Sequence, residues 1–303
     1  MVKHILITGA SGLIGTRLTE MLLAKGYSVA HLGRSKKEDG VKSFIWNVDK
    51  QIIQPGALKG ITAVIHLAGA GVAEKRWTEE RKQEILESRT KSTALLLDEL
   101  KKGHHTVTSF ISASAIGYYG FEHDDKVFHE EDTPGTDFLA QVTRQWEDEV
   151  SKISNLGIRV VKIRVGVVLS EKGGALKEMS TPIRLYAGSP LGTGKQMMSW
   201  IHLDDLCAIF IKMLEEEQHI GTFNAVTPHP VSNAELTKAI AEVLHKPLLF
   251  PKVPAFALKL VLGEMANLVL NGSTVSADKI LKTGFKFQYE DLKPALNNLL
   301  RKH

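Results

Sequence analysis

The chain has 303 residues, 43% hydrophobic and 24% charged, which suits a folded protein with a sizeable core and excludes a disordered or fibrous one. Its 38 basic and 34 acidic side chains leave a net charge of +4, too balanced for a nucleic-acid binder, and pairs such as Lys36-Lys37 and Lys101-Lys102 read as solvated surface. Cys207 is the sole cysteine, so an intrachain disulfide and a cysteine metal cluster are excluded and a reducing, cytoplasmic setting is favoured.

The first strand is expected at 3–8, where Ile5-Leu-Ile-Thr8 is an apolar run of buried-strand length. Gly9, Gly12 and Gly15 follow, and then Leu18, Met21 and Leu22 at helical spacing within a helix at 12–25. These glycines interrupt the apolar N-terminus, which lacks the h-region of a signal peptide. Strand, glycine turn and helix is the setting of a dinucleotide fingerprint. Glycines let the backbone approach a pyrophosphate, and the helix N-terminus offers it free N–H groups and a partial positive charge. Gly9, Ser11, Gly12, Leu13, Ile14 and Gly15 are therefore the expected cradle. The alternative is a tight structural turn that binds nothing.

Further strands are expected at 28–33, 43–46, 63–67, 107–113 and 158–165, with helices at 79–102 and 137–154. The alternation predicts an α/β protein with a Rossmann-type, doubly wound parallel sheet. Pro55-Gly56 makes the connection from Asn47 to Gly60 irregular. From Ser170 the chain becomes loop-rich, with Gly173-Gly174, Gly188-Ser-Pro190 and Gly192-Thr-Gly194. A short strand at 197–201, an apolar-faced helix at 206–214 and a strand at 221–226 come next, then helices near 232–245, 254–270 and 290–300. The expected division is a dinucleotide domain of 1–169 plus 196–226 and a smaller C-terminal α/β lobe of 170–195 plus 227–303. No run approaches ~18 consecutive apolar residues, so no membrane span is expected.

An NAD site commonly has a carboxylate at the end of the second strand, for the ribose 2′-hydroxyl. Here Gly33-Arg34-Ser35 stands there, and the first carboxylate is Glu38. Arg34 suits a 2′-phosphate through a charge-assisted fork, so NADP is favoured over NAD. The bland reading of Arg34 is a solvated surface side chain. Leu67-Ala68-Gly69-Ala-Gly71 follows the strand at 63–67; its small residues let a backbone pass under an adenine and ribose, or form no more than a tight strand exit.

Thr8-Gly-Ala-Ser-Gly-Leu-Ile-Gly15 resembles the extended short-chain dehydrogenase/reductase family. The resemblance narrows along the chain. Lys75-Arg-Trp-Thr-Glu-Glu-Arg81, Ser114-Ala-Ile-Gly-Tyr-Tyr-Gly120, Trp146-Glu147, Arg164-Val-Gly-Val-Val-Leu169, Ser199-Trp-Ile-His-Leu-Asp-Asp205 and Thr283-Gly-Phe-Lys-Phe287 occur in the order seen in its atypical "epimerase family protein" group. That group is also labelled cell-division-inhibitor-like and carries a C-terminal domain of unknown function. The resemblance implies cofactor contacts at Arg34, Ser35, Leu67, Ala68, Glu84, Arg89 and Val167. Glu84 and Arg89 otherwise read as helix-surface charges, and Thr78 as the cap of their helix.

Standard members of the family use Tyr-x-x-x-Lys beside a Ser. Ser114 stands in the Ser region, but the helix at 137–154 contains no Tyr; Phe138 or Leu139 occupies the Tyr region and Thr143 the Lys region. Tyr118 and Tyr119 are the available surrogates, unless they form only a structural turn. Tyr289-Glu-Asp-Leu-Lys293 matches literally but lies far past the sheet and reads as chance. Asp204 reads as a helix cap with Asp205 in the first turn, and Cys207 as a packed helix residue. Gly188–Lys195 fails the phosphate-loop pattern, His104-His105 lacks metal partners, and His123-Asp124-Asp125 with Glu130-Glu131-Asp132 reads as a solvated loop. The expectation is an NADP-dependent oxidoreductase or epimerase for a small carbonyl or sugar-like substrate, with no metal. The alternative is a non-catalytic NADP sensor or regulator, for instance in cell division. Monomer and homodimer both fit.

Overall fold

The apolar run His4–Thr8 forms β1, with Ile5, Leu6 and Ile7 fully buried. The structure is a computed structural model and describes residues 3–36, 39–121 and 126–301. Lys37, Glu38, His123, Asp124 and Asp125 lie outside the described residues. Seven strands join β1 in one sheet: β2 Ser28–Gly33, β3 Lys42–Asn47, β4 Ile52–Ile53, β5 Ala63–His66, β6 Ser109–Ala115, β7 Arg159–Val165 and β8 Gly221–Ala225. Their order is β8-β7-β6-β5-β1-β2-β3-β4, parallel throughout except at the antiparallel β3–β4 edge. The chain runs outward from β1, returns to β5, and runs outward the other way. Between β1 and β5 the connections leave to opposite faces; this is the switch point, at whose carboxyl ends doubly wound sheets form their crevice.

Helices α1 Leu13–Ala24 and α5 Leu203–Glu215 pack together, as do α2 Glu79–Lys101 and α3 Phe138–Ser151. Right-handed crossovers that travel in opposite directions from the switch point put α1 and α2 on opposite faces of the sheet. Thr78 caps α2 by accepting from the Arg81 N–H, with Glu79 and Glu80 in the first turn. Asp137 caps α3 through Leu139 and Ala140 N–H.

The cap of α5 corrects the expectation for Asp204. The cap is His202, whose Nδ1 accepts from the Asp204 N–H at 3.0 Å. Asp204 instead takes a two-pronged ion pair from Arg17 of α1, at 2.6 and 3.1 Å, and so pins the two helices together. Asp205 accepts the Gln288 and Tyr289 N–H groups at 2.8 and 2.9 Å and anchors the C-terminal segment. Cys207 is fully buried in α5, where burial pushes its thiol up and keeps it inert.

A second, smaller core gathers Leu169, Leu176, Ile183, Trp200, Leu236, Ile240 and Leu296. It is built by α4 Ala175–Arg184, α6 Asn233–Val243 and the last helix, Leu292–Leu300. The stretch read as loop-rich therefore contains a helix; Gly173-Gly174 before it and Pro182 within it hid its buried Leu176, Ser180 and Ile183. The helix expected at 254–270 breaks where Gly263 adopts φ +62°, which leaves α7 Ala255–Leu262 and α8 Asn267–Leu270 separated by a 3-10 turn. Val275, Ala277, Ile280 and Phe285 join the sheet's core rather than the smaller one. Among the described residues no helix is long and apolar enough to cross a membrane.

Candidate functional site

The crevice begins where β1 ends. Gly9 has φ +68°, and a Cβ there would meet the Leu67 carbonyl and Ala68 nitrogen at 2.8–2.9 Å. A Cβ on Gly15 would stand 2.4 Å from the Gly9 oxygen. Packing within the protein explains both glycines. Gly12 is different: its φ is −76°, and a Cβ would find only the Gly9 oxygen, at 3.4 Å. What its missing side chain leaves open is outer space at the N-terminus of α1. No side chain caps that terminus, and the N–H groups of Leu13, Ile14 and Gly15 have no partner among the described residues. Such a terminus is suited to an anion.

The turn after β5 lies against the glycine loop. Thr8 Oγ1 accepts from both Leu67 and Ala68 N–H, and Ser88 Oγ accepts from Ala70 N–H. Arg89 of α2 lies across Gly69, so close that a Cβ there would stand 3.1 Å from the Arg89 Cζ. The Arg89 guanidinium donates to the Ile85 carbonyl, sits 5.4 Å from the Trp146 ring centre, and meets no carboxylate among the described residues. Burial, with Arg81 nearby, pulls it down to about 10. A largely enclosed cation with no counterion is costly unless an anion arrives.

Arg81 is paired instead. It binds Glu84 and Glu74 and donates to the Gly71 carbonyl, which locks the 71–74 loop onto α2. Glu84 is held below the usual carboxylate range by Arg81 first, with Lys75 and Arg34 adding to it across the crevice mouth. Arg34 and Ser35 are exposed at the end of β2. Val167, half-buried after the Gly166 bend, forms a short parallel pair with Trp200.

The other half of the crevice is differently built. Ser114 is 4% exposed and its hydroxyl donates to Glu147 of α3 at 2.6 Å. Arg164 of β7 grips the same carboxylate with Nε and Nη2, at 2.8 and 2.9 Å. Its Nη1 donates to Tyr119 Oη and the Glu130 carbonyl, and the Tyr119 hydroxyl donates to Asn224 at 2.7 Å. Burial pushes the Glu147 carboxyl up, but Arg164, Ser114 and Lys162 outweigh it and hold it below its ordinary value. Burial pushes the Tyr119 phenol up to about 12.

Ser114 and Tyr119 therefore lie inside the protein with their hydroxyl protons already committed. Tyr118 is half-buried, its ring 3.4 Å from the Arg164 guanidinium, and its hydroxyl makes no hydrogen bond among the described residues. Glu130 does not sit in a solvated loop as expected: its carboxylate accepts the Asn224 N–H at 2.8 Å.

Sequence similarity now adds to this geometry. Residues 5–225 match the NAD dependent epimerase/dehydratase family, and residues 253–299 match a domain of unknown function, DUF1731. The chain is 38% identical over 302 residues to the Arabidopsis thaliana "Epimerase family protein SDR39U1 homolog, chloroplastic", covering 97% of this chain and 86% of that one. It is 36% identical over 302 residues to Bacillus subtilis "Epimerase family protein YfhF", with 98% of both chains covered. The crystal structure of the human epimerase family protein SDR39U1 with NADPH superposes with a TM-score of 0.87 at 29% identity, covering 98% of each chain. The chain belongs to the NAD dependent epimerase/dehydratase family.

For a member of that family, the face of α3 that meets the end of β6 is unusual. Leu139 and Thr143 lie there one helical turn apart, their Cβ and Oγ1 only 3.6 and 3.8 Å from where a Cβ on Gly117 would stand. Both are buried, and Thr143 donates its hydroxyl to the Leu139 carbonyl. Leu139, not Phe138, is the residue in the Tyr region, since Phe138 turns away to the Trp77 ring at 5.1 Å. Tyr289 is remote from this place and stacks on His202 at 4.0 Å. Among the described residues no cluster of metal-ligand side chains occurs.

Sequence reasoning missed the Glu147–Arg164 pair as a structural unit. A signal existed: Glu147 follows Leu139 and Thr143 on the apolar face of α3, and Arg164 interrupts an apolar strand. It also passed over His66, described below.

Proposed function

We propose that this protein is an NADP-dependent oxidoreductase or epimerase acting on a small carbonyl or sugar-like substrate. The observation that carries the cofactor reading is Arg89, a largely enclosed cation with no counterion among the described residues, lying across Gly69 in the turn whose Leu67 and Ala68 abut Gly9. Gly9, Ser11, Gly12, Leu13, Ile14 and Gly15 would cradle the pyrophosphate. Leu67, Ala68 and Gly69 would pass under the adenosine, with Glu84 at its edge and Val167 toward the nicotinamide. Arg34 and Ser35 would take the 2′-phosphate, which favours NADP. NADP would supply the hydride exchange at its nicotinamide. This chain's part is to orient that ring and supply or accept the balancing proton at the substrate oxygen. Tyr118, whose hydroxyl has no hydrogen bond among the described residues, would do so, alone or through a water, while Ser114 and Glu147 would hold the wall behind it. A cytoplasmic setting fits the buried, unreactive Cys207.

Two measurements test the reading. Arg34→Ala should lose at least tenfold more affinity for NADPH than for NADH in fluorescence titration; equal losses would remove the NADP assignment. Tyr118→Phe should cut turnover by about 10²–10⁴-fold with NADPH affinity unchanged. Leu139 and Thr143 favour a second reading, a non-catalytic NADP sensor or regulator, because neither exchanges a proton as a Tyr-Lys pair would. In that case NADPH binds and Tyr118→Phe changes nothing measurable with any substrate or partner.

A further inference from the structure

His66 is the last residue of β5, fully buried directly beneath the turn that packs on the glycine loop. Its ring is held by Phe110 and, edge-on, by Trp46. Counting donors and acceptors around it settles its tautomer. Thr8 Oγ1 accepts from Leu67 N–H at 3.1 Å and from Ala68 N–H at 3.2 Å. With both lone pairs engaged, the Thr8 hydroxyl donates to His66 Nδ1 at 2.8 Å. Burial, reinforced by Arg89, pushes the imidazole down to about 3, so the ring is neutral. Its single proton is then on Nε2, which donates to Thr93 Oγ1 at 3.1 Å; Ser92 Oγ stands farther off at 3.4 Å, its own proton given to the Ser88 carbonyl. The Thr93 hydroxyl donates in turn to the Arg89 carbonyl at 2.7 Å. Every bond points the same way, from the amides of the turn to the backbone of Arg89. The opposite tautomer would aim three donors at Thr8 Oγ1 and leave the threonine proton without an acceptor.

We propose that His66, as its Nε2–H tautomer, is a positioning residue for the bound dinucleotide, fixing the distance between the Leu67–Gly69 turn and Arg89. The inference rests on the cofactor reading above. A second tie, Ala70 N–H to Ser88 Oγ at 3.0 Å, closes the frame on the other side of Gly69. Between the two ties the Arg89 side chain lies across Gly69, its Cζ, Cγ and Nε 3.1–3.3 Å from where a Cβ there would stand. The imidazole itself touches no ligand. It acts by holding a strand end and a helix at one spacing, and being neutral it does so without placing a second charge beside Arg89.

The test is a set of five variants, each measured by NADPH fluorescence titration and by thermal denaturation without ligand. Arg89→Ala should weaken NADPH binding by about tenfold to a hundredfold, the range for a charge-assisted hydrogen bond. Thr93→Val, which removes the shorter link between His66 and Arg89 and leaves only the 3.4 Å approach of Ser92 Oγ to Nε2, should weaken it about fivefold, the scale of one neutral hydrogen bond. Thr93→Ser, which keeps the hydroxyl, should restore it. In Arg89→Ala/Thr93→Val the threonine change should cost nothing further, because the residue it positions is gone. His66→Asn, if it folds, should match Thr93→Val. Wild-type affinity in Thr93→Val, or the same fivefold loss with and without Arg89, overturns the positioning role and leaves the cofactor reading intact. Wild-type affinity in Arg89→Ala removes Arg89 as a cofactor contact and overturns the positioning role with it; no NADPH binding by the unaltered protein overturns the cofactor reading itself.

Discussion

The two halves of the sheet treat their polar groups in opposite ways. On the β1–β2–β5 side, among the described residues, no side chain caps the α1 terminus, Gly12 leaves open space and Arg89 has no counterion. On the β6–β7–β8 side, Ser114, Glu147, Arg164, Tyr119, Asn224 and Glu130 satisfy one another. Unmet hydrogen-bonding capacity in a crevice is an invitation to a ligand, whereas a satisfied network is a strut. The first half has the physics of a binding site. The second has the physics of a scaffold, in the place where the family ordinarily keeps its proton chemistry.

The sharpest way to break this contrast is at Glu147. Glu147→Ala leaves Arg164 buried and unpaired and should destabilise the protein by about 3–5 kcal/mol in urea unfolding. A loss under about 1 kcal/mol would mean the network is not a strut. The glycines come next. Gly15→Ala drives a Cβ into the Gly9 oxygen and the Ala10 Cα, at 2.4 and 2.6 Å, and should cost about 3 kcal/mol or more of stability. Gly12→Ala should fold within about 0.5 kcal/mol of wild type yet bind NADPH at least tenfold more weakly. If both variants lose only stability, Gly12 has no ligand to accommodate.

The smallest effect concerns pH. His66 is neutral when folded, down at about 3, but titrates in the ordinary histidine range when unfolded. As pH falls below about 6.5, the unfolded chain therefore gains a proton that the folded chain refuses. Stability should decline toward acid by about 1.4 kcal/mol per pH unit from this group. His202, lowered by burial, acts with the same sign, so the informative quantity is the difference between wild type and His66→Asn. Between pH 6 and 5 the variant should show the shallower slope. Glu147 contributes lower down: its folded value is depressed, so its stabilisation is present above the ordinary carboxylate range and lost as pH falls through the folded value.

The parallel strands and the helices that cross them were legible because buried parallel strands are continuous apolar runs and their helices carry a 3.6-residue pattern; the two-residue antiparallel edge β4, inside the connection read as irregular, was not. The glycine spacing was legible for the same local reason: it is set by a single strand–turn–helix. Less legible were α4, masked by Gly174 and Pro182, and the break at Gly263, because a helical apolar pattern interrupted by Lys259, Gly263, Glu264 and Asn267 looks alike whether it runs straight or bends. His202 as the cap of α5 was hidden because Asp204 and Asp205 are the better capping residues by type. They were drawn off by Arg17 and by the backbone of Gln288 and Tyr289, partners remote in sequence.

The amino-acid sequence by itself determined that this chain is a doubly wound α/β member of its family with a glycine turn at the first strand's end and no Tyr-Lys pair on α3. These are properties of residues near one another in the chain, where spacing and type suffice. Only the tertiary structure decided which polar groups are left over. Whether Arg89 lacks a counterion, or whether Ser114 faces a ligand or Glu147, depends on burial and on partners brought from 17 to more than 100 residues away, as with Arg164 and Glu147 or Tyr119 and Asn224. An open valence is a sum over everything nearby, and a sequence does not list its neighbours in space.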